Sequence, residues 1–314
     1  MTLIPITATQ TGLSLGDSNG GAPDRTIEAA LSALPKEAPV VIMVHGKGYN
    51  PADPARNPHA LIFAPRGGFG RSRFVSWPRR LGFALPGPRQ PLGLCFGLGW
   101  NATGALWHAT AAADATAQKL ARLVQLIRRI DPSRRIDLIG HSLGARVILG
   151  AMPSLAANTI HRVILLAGAD FTTRARAARR SHAGQTAEFL NITTRENDLY
   201  DFLFERAIAP FGGQTALGCG IGPLNIGRNN WLDIQLDNPA TTAALARMGL
   251  PLAASQARIC HWSVYLRPGV FRLYRGLIHD RERLTLPILR AALATTPQPR
   301  WSRFKTTQPS PSLF

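Results

Sequence analysis

Ser142 stands between Gly140 and Gly144 in IDLIGHSLGARVIL, residues 136–149, where one apolar run ends and another begins. An alcohol at its ordinary pKa is a poor nucleophile, so a serine that does chemistry must be exposed beside a base. A tight strand–serine–helix turn provides the exposure. It needs small residues two positions before and after the serine, because the backbone passes close to itself there. The turn also sets a helix N-terminus beneath the hydroxyl, where free N–H groups meet developing negative charge. An unremarkable turn serine can also carry G-x-S-x-G; the apolar strand before it and the helical run after it favour the nucleophile.

Stabilising a tetrahedral oxyanion takes two donors. The backbone N–H of Leu143, directly after the serine, is one candidate. The second comes from the loop following VVIMVHG, where His45 and Gly46 end an apolar strand; Lys47 N–H is the first choice, with Gly46 and Gly48 as alternatives. The lysine side chain has no part in that role. No H-E-x-x-H or comparable ligand spacing occurs, and HGKG lacks the rest of a phosphate loop, so neither a metal nor another cofactor is implied.

Three stretches, VIMVHGKGYN, RFVSWPRRLGF and IDLIGHSLGARV, resemble the α/β-hydrolase fold superfamily, in particular its esterase- and lipase-like serine hydrolases. The likeness is best over residues 38–200. It implies a three-layer α/β/α sandwich on a mostly parallel central sheet, with residues 1–314 as one domain. His45–Gly46 would end the strand before the oxyanion loop. Gly140, His141 and Gly144 would form the nucleophile elbow, His141 supporting its packing. The family order of nucleophile, acid and histidine points to Ser142, Asp198 and His261. Asp198 follows the strand AEFLNIT, with Asp170, Glu196 and Asp201 as competitors. His261 lies in RICHWSVYLRPGVFRLY before the last helix, with His279 as its rival.

The elements that must hold these groups read as an alternation. Strands are expected at 38–46, 73–78, 134–140, 161–168 and 187–193, and a long alanine-rich helix at 104–130, where Leu120, Leu123, Val124, Ile127 and Ile130 make one apolar stripe. Further helices follow Ser142 and occupy 240–248 and 269–278. Strands alternating with helices give a parallel sheet covered on both faces. Loop-rich excursions are expected at 47–72, 79–104 and 205–260, and a loose tail at TTQPSPSLF. Aromatic residues Trp77, Phe83, Phe96, Trp100 and Trp107 are candidates for an acyl pocket, and equally for core packing.

Composition narrows the class. With 45% apolar residues the chain is not a disordered one. Three separated cysteines fit neither a disulfide framework nor a structural zinc site. The start lacks a signal-peptide pattern and no uncharged apolar run reaches membrane-spanning length, so a cytoplasmic enzyme is expected. The net charge of +18 is nearly all arginine. It would draw anionic lipid surfaces or polyanions, yet no nucleic-acid recognition motif accompanies it. The expected partner is a small-molecule acyl substrate and the expected reaction ester hydrolysis through an acyl-enzyme. Thioesterase, amidase or acyltransferase chemistry, or a catalytically inactive binding protein, are the alternatives on this scaffold.

Overall fold

The computed structural model describes residues 2–16, 21–66, 74–83, 93–221, 230–293 and 296–304. An eight-stranded sheet runs through them: β1 (Leu3–Ala8), β2 (Leu13–Leu15), β3 (Val40–Val44), β4 (Leu94–Gly99), β5 (Ile136–His141), β6 (Ile160–Leu166), β7 (Glu188–Thr193) and β8 (Trp231–Gln235). Their order is β2-β1-β4-β3-β5-β6-β7-β8. All neighbours are parallel except the β1–β2 hairpin at one edge.

Parallel strands need helical crossovers, and the helices here fall on both faces. One face carries α1 (Asp24–Ser32), α3 (Leu106–Ile130), α4 (Leu143–Ala151), α5 (Thr172–Arg180) and α6 (His182–Thr186). On the other lie α2 (Trp77–Arg80), α8 (Pro239–Arg247), α9 (Ser263–Leu266), α10 (Val270–His279) and α11 (Leu286–Ala292). α7 (Asp198–Ile208) follows β7 and packs beside α3. Covered on both sides, β3 reads VVIMV with every residue buried, which is why it is apolar without alternation. In α3, Ala109, Ala113, Ala117, Leu120, Leu123, Val124 and Ile127 form the buried stripe, and the helix stops at Asp131 before Pro132.

Three expectations are corrected. RFVSWP does not supply a strand: within it Ser76 caps α2, accepting from Arg79 N, and Pro78 sits in the first turn, where its missing N–H does no harm. The stretch 79–104 is not a continuous loop, since it holds β4, and 205–260 contains β8 and α8. β4 escapes the eye because LCFGLG carries two glycines. A Cβ on Gly97 would lie 2.8 Å from Phe63, and one on Gly99 would lie 2.7 Å from His59, so the 51–63 segment packs directly on the strand. Residues 67–73, 84–92 and 222–229 and the tail TTQPSPSLF lie outside the described residues.

The arginines are partly used inside. Arg134, Arg162, Arg195 and Arg267 are buried on carboxylates or backbone carbonyls. In the basic run 172–182, Arg174 meets Asp114 and Asp170, and Arg176 donates to Ile221 O. No helix among the described residues is long and apolar enough to cross a membrane.

Candidate active site

The carboxyl ends of β3, β5, β6 and β7 meet at one cavity of about 400 Å³. Lys47 reaches it from the loop after β3, Ser142 and Leu143 from the β5–α4 turn, Ala167 and Ala169 from beyond β6, and Asn197 and Asp201 from beyond β7. His141, Tyr200, Phe204, His261 and Tyr265 also line it.

Ser142 adopts φ 55° and ψ −123°, a region that L-residues rarely enter. It is the N-cap of α4, yet its side chain makes no cap hydrogen bond, so the hydroxyl is left available. The turn is held by the backbone: Ser142 N donates to Leu166 O at 3.0 Å, and Ala145 N and Ala169 N both donate to Ser142 O. Each nearby glycine answers to a close approach. A Cβ on Gly144 would stand 2.4 Å from Val44 O, one on Gly140 2.8 Å from Gly144 C, and one on Gly46 2.7 Å from Ser142 Cβ.

His45 ties the β3 loop to β4. Its Nδ1–H donates to Gly46 O at 2.8 Å, its Nε2 accepts from Trp100 N at 3.0 Å, and its ring stacks on the Trp100 indole. That pattern requires a neutral ring, and burial lowers its pKa to about 3. His141 lies behind the elbow and faces the base. Its Nε2–H donates to His261 O at 3.2 Å, and burial brings its pKa down to about 4.

His261 lines the cavity with Ser142, although no hydrogen bond joins its ring to Ser142 Oγ among the described residues. Such bonds often tighten only with substrate in place. Its Nδ1 lies 2.6 Å from Oδ1 of Asn197, its ring stacks on Tyr200, and the His141 ring stands 4.6 Å away. Burial first, then the neighbouring His141, hold its pKa well below the usual histidine range.

The expected acid does not meet this histidine. Asp198 accepts from Trp301 N at 2.7 Å and pairs with Arg195 at 3.2 Å. The cause is one residue of register. A 3₁₀ turn, Arg195–Asn197, opens after β7 with Thr194 as its cap, and Asp198 is the first residue of α7. A single step along such a turn swings a side chain by roughly 100–120°. Asn197 therefore aims at His261, while Asp198 aims at the C-terminal segment. The competing carboxylates are engaged elsewhere. Asp170 sits between Arg146 and Arg174, and Glu196 between Arg267 and the Ser255 hydroxyl. Asp201 accepts from Asn197 Nδ2 at 2.9 Å, in line behind the amide. His279 donates its Nε2–H to Leu81 O at 2.9 Å on the far face and stands apart from the cavity.

The aromatic candidates are also redistributed. Trp77, Phe83, Phe96 and Trp100 are core, and Trp107 is exposed. The apolar walls of the cavity are instead Leu106, Tyr200, Leu203, Phe204 and Trp262. Tyr200, Leu203 and Phe204 come from one face of α7.

A mostly parallel sheet flanked by helices, with a strained serine between the fifth strand and its helix, is the α/β-hydrolase fold. No protein-family model and no curated protein matches the chain. Among solved structures it is similar to a Trichoderma reesei cutinase bound to a phosphonate inhibitor, with 16% identity, 53% of this chain and 69% of that one covered, and a TM-score of 0.27. It is also similar to a metagenomic carboxyl esterase, at 11% identity, 80% and 78% coverage and a TM-score of 0.37. The catalytic core of acetyl xylan esterase from Trichoderma reesei gives 10% identity, 82% and 100% coverage and a TM-score of 0.32.

Proposed function

We propose that the chain is a serine hydrolase that cleaves carboxylic esters through an acyl-enzyme, with Ser142 as nucleophile, His261 as base and Asn197 in the place expected for Asp198. One observation carries the reading: an uncapped serine at positive φ shares a cavity with a histidine whose Nδ1 lies 2.6 Å from the Asn197 amide oxygen.

With its proton on Nδ1, bonded to Asn197 Oδ1, the imidazole has a lone pair on Nε2. Nε2 takes the Ser142 Oγ proton as Oγ attacks the substrate carbonyl carbon. The oxyanion lies between the N–H groups of Leu143 and Lys47, above the start of α4. The tetrahedral species collapses, the C–O bond to the alcohol breaks, and the Nε2 proton goes to the leaving oxygen. Water then attacks the acyl-enzyme with the same assistance in reverse. An asparagine in the third position orients the base without supplying a counter-charge, as in the Cys-His-Asn arrangement. The apolar walls suit a substrate with a hydrocarbon acyl or alcohol part.

Purified protein is expected to hydrolyse short p-nitrophenyl esters, and Ser142→Ala to fall to background with its fold intact. A variant as fast as wild type would refute the nucleophile. Asn197 also favours a second reading, a hydrolase fold that binds a ligand without turning it over. Absence of ester turnover by the wild type would favour that one.

A further inference from the structure

Asparagine presents an oxygen at one end of its amide and an NH₂ at the other, in nearly the same shape. Left alone beside an imidazole it could accept from Nδ1–H or donate to a bare Nδ1. The first leaves Nε2 free to take a proton; the second puts the proton on Nε2 and disables it. Something must choose.

We propose that Asp201 makes that choice: its carboxylate is the positioning residue that orients the Asn197 amide and through it fixes the tautomer of His261. The inference rests on reading Ser142 and His261 as nucleophile and base. An ionised carboxylate only accepts, so the 2.9 Å contact between Asp201 Oδ1 and Asn197 puts Nδ2 on that side. Oδ1 is then turned to His261 at 2.6 Å, and an amide oxygen can only accept. Asn197 and Asp201 are each 3% exposed, which leaves little room for water to substitute. A Cβ on Gly218 would overlap Asp201 Oδ2, so the backbone of the 217–219 turn closes the carboxylate in from behind.

The groups facing Asp201 are Arg195 and Asp198 at the β7–α7 junction, Arg300 from the C-terminal segment and Cys219 from the 217–219 turn. Burial and Asp198 favour the neutral acid, the two arginines favour the anion, and the balance pushes the carboxyl up to about 7. Protonated, Asp201 becomes a donor, and the amide can turn over to accept from it, presenting Nδ2 to His261. Loss of the working tautomer then falls near neutrality. The His261 ring itself is held too far below that range to produce such a limb.

The test compares wild type, Asp201→Asn and the exchange N197D/D201N on a p-nitrophenyl ester, with kcat and KM over pH 5–9. The single variant should lose about 10–100-fold in kcat with KM little changed, less than the ~10⁴-fold of removing a carboxylate bonded to the histidine itself, because Asp201 acts through Asn197. The exchange sets a carboxylate directly on His261 Nδ1 and an amide behind it, and should recover most of the loss and shift the acid limb. A single variant at wild-type kcat, or an exchange no better than the single, overturns the proposal. Should the variants misfold, ¹⁵N spectra of the wild-type histidines decide: His261 must carry its proton on Nδ1 at pH 8, and an Nε2–H tautomer there refutes it. If fluorophosphonate fails to label wild-type Ser142, the underlying hydrolase reading has failed instead.

Discussion

Replacing Ser142 by glycine should make the protein more stable, and replacing it by alanine should not. At φ 55° and ψ −123° a residue bearing a Cβ is strained, a state that costs about 1–3 kcal/mol. Glycine relieves that strain, and since the Ser142 side chain makes no cap bond to α4, no such bond is lost with it. Glycine also adds freedom to the unfolded chain, which offsets roughly 0.5–1 kcal/mol. The net gain is about 0.5–2 kcal/mol. At roughly 1.5 °C per kcal/mol for a chain of 314 residues, the melting temperature should rise by about 1–3 °C. Alanine keeps the Cβ and with it the strain, so S142A serves as the control: equally inactive, but unshifted. Differential scanning calorimetry of the three proteins in one buffer measures the difference. A Ser142→Gly protein no more stable than Ser142→Ala would mean that the turn is not strained, and the elbow argument would lose its physical basis.

Other expectations are independent of that one. Gly144→Ala forces a methyl against the Val44 and His45 carbonyl oxygens, which are backbone and cannot yield; urea unfolding should show a loss near the upper end of the ~1–3 kcal/mol range for overpacking. Arg267→Met leaves Glu196 buried without its cation at 2.9 Å, and should cost about 3–5 kcal/mol. Because Cys260 N donates to Glu196 O beside His261, that change should also lower kcat. His45 has its pKa lowered from 6.5 to about 3, so the unfolded chain binds its proton first as pH falls. The stability this neutral ring contributes is present above 6.5 and is lost as pH drops toward 3. Between pH 4 and 6 it adds about 1.4 kcal/mol per pH unit to the slope, and His45→Asn should flatten the slope by that amount in urea titrations.

How far the sequence could be read depended on the range of the forces involved. The elbow was legible because its demands are local: Gly140 and Gly144 answer to atoms a few residues away or on the adjacent strand. β3, β5, β6 and β7 announced themselves as apolar runs, since sheets buried on both faces leave no alternation to hide. β4 was hidden by glycines whose reason, Phe63 and His59 packing across them, lies in a distant segment. β8, in WLDIQ, has Asp233 at its centre, bonded to Asn191 of β7, a polar pair that breaks the apolar pattern. His261 lies against Asn197, one position before the expected Asp198. An asparagine and an aspartate side by side differ in chemistry in the sequence, but which of them faces the base is decided by the 3₁₀ turn that starts α7. That turn depends on Thr194, Asp237 and the C-terminal segment at Trp301, and no spacing rule contains them.

The central claim is that Ser142 is an activated nucleophile. The most direct measurement is intact-mass analysis after treatment with a fluorophosphonate, followed by peptide mapping. One adduct per chain on Ser142, absent from Ser142→Ala and slowed in His261→Ala, is the predicted result. No adduct under conditions that label a known serine esterase, or an adduct on another residue, would contradict it.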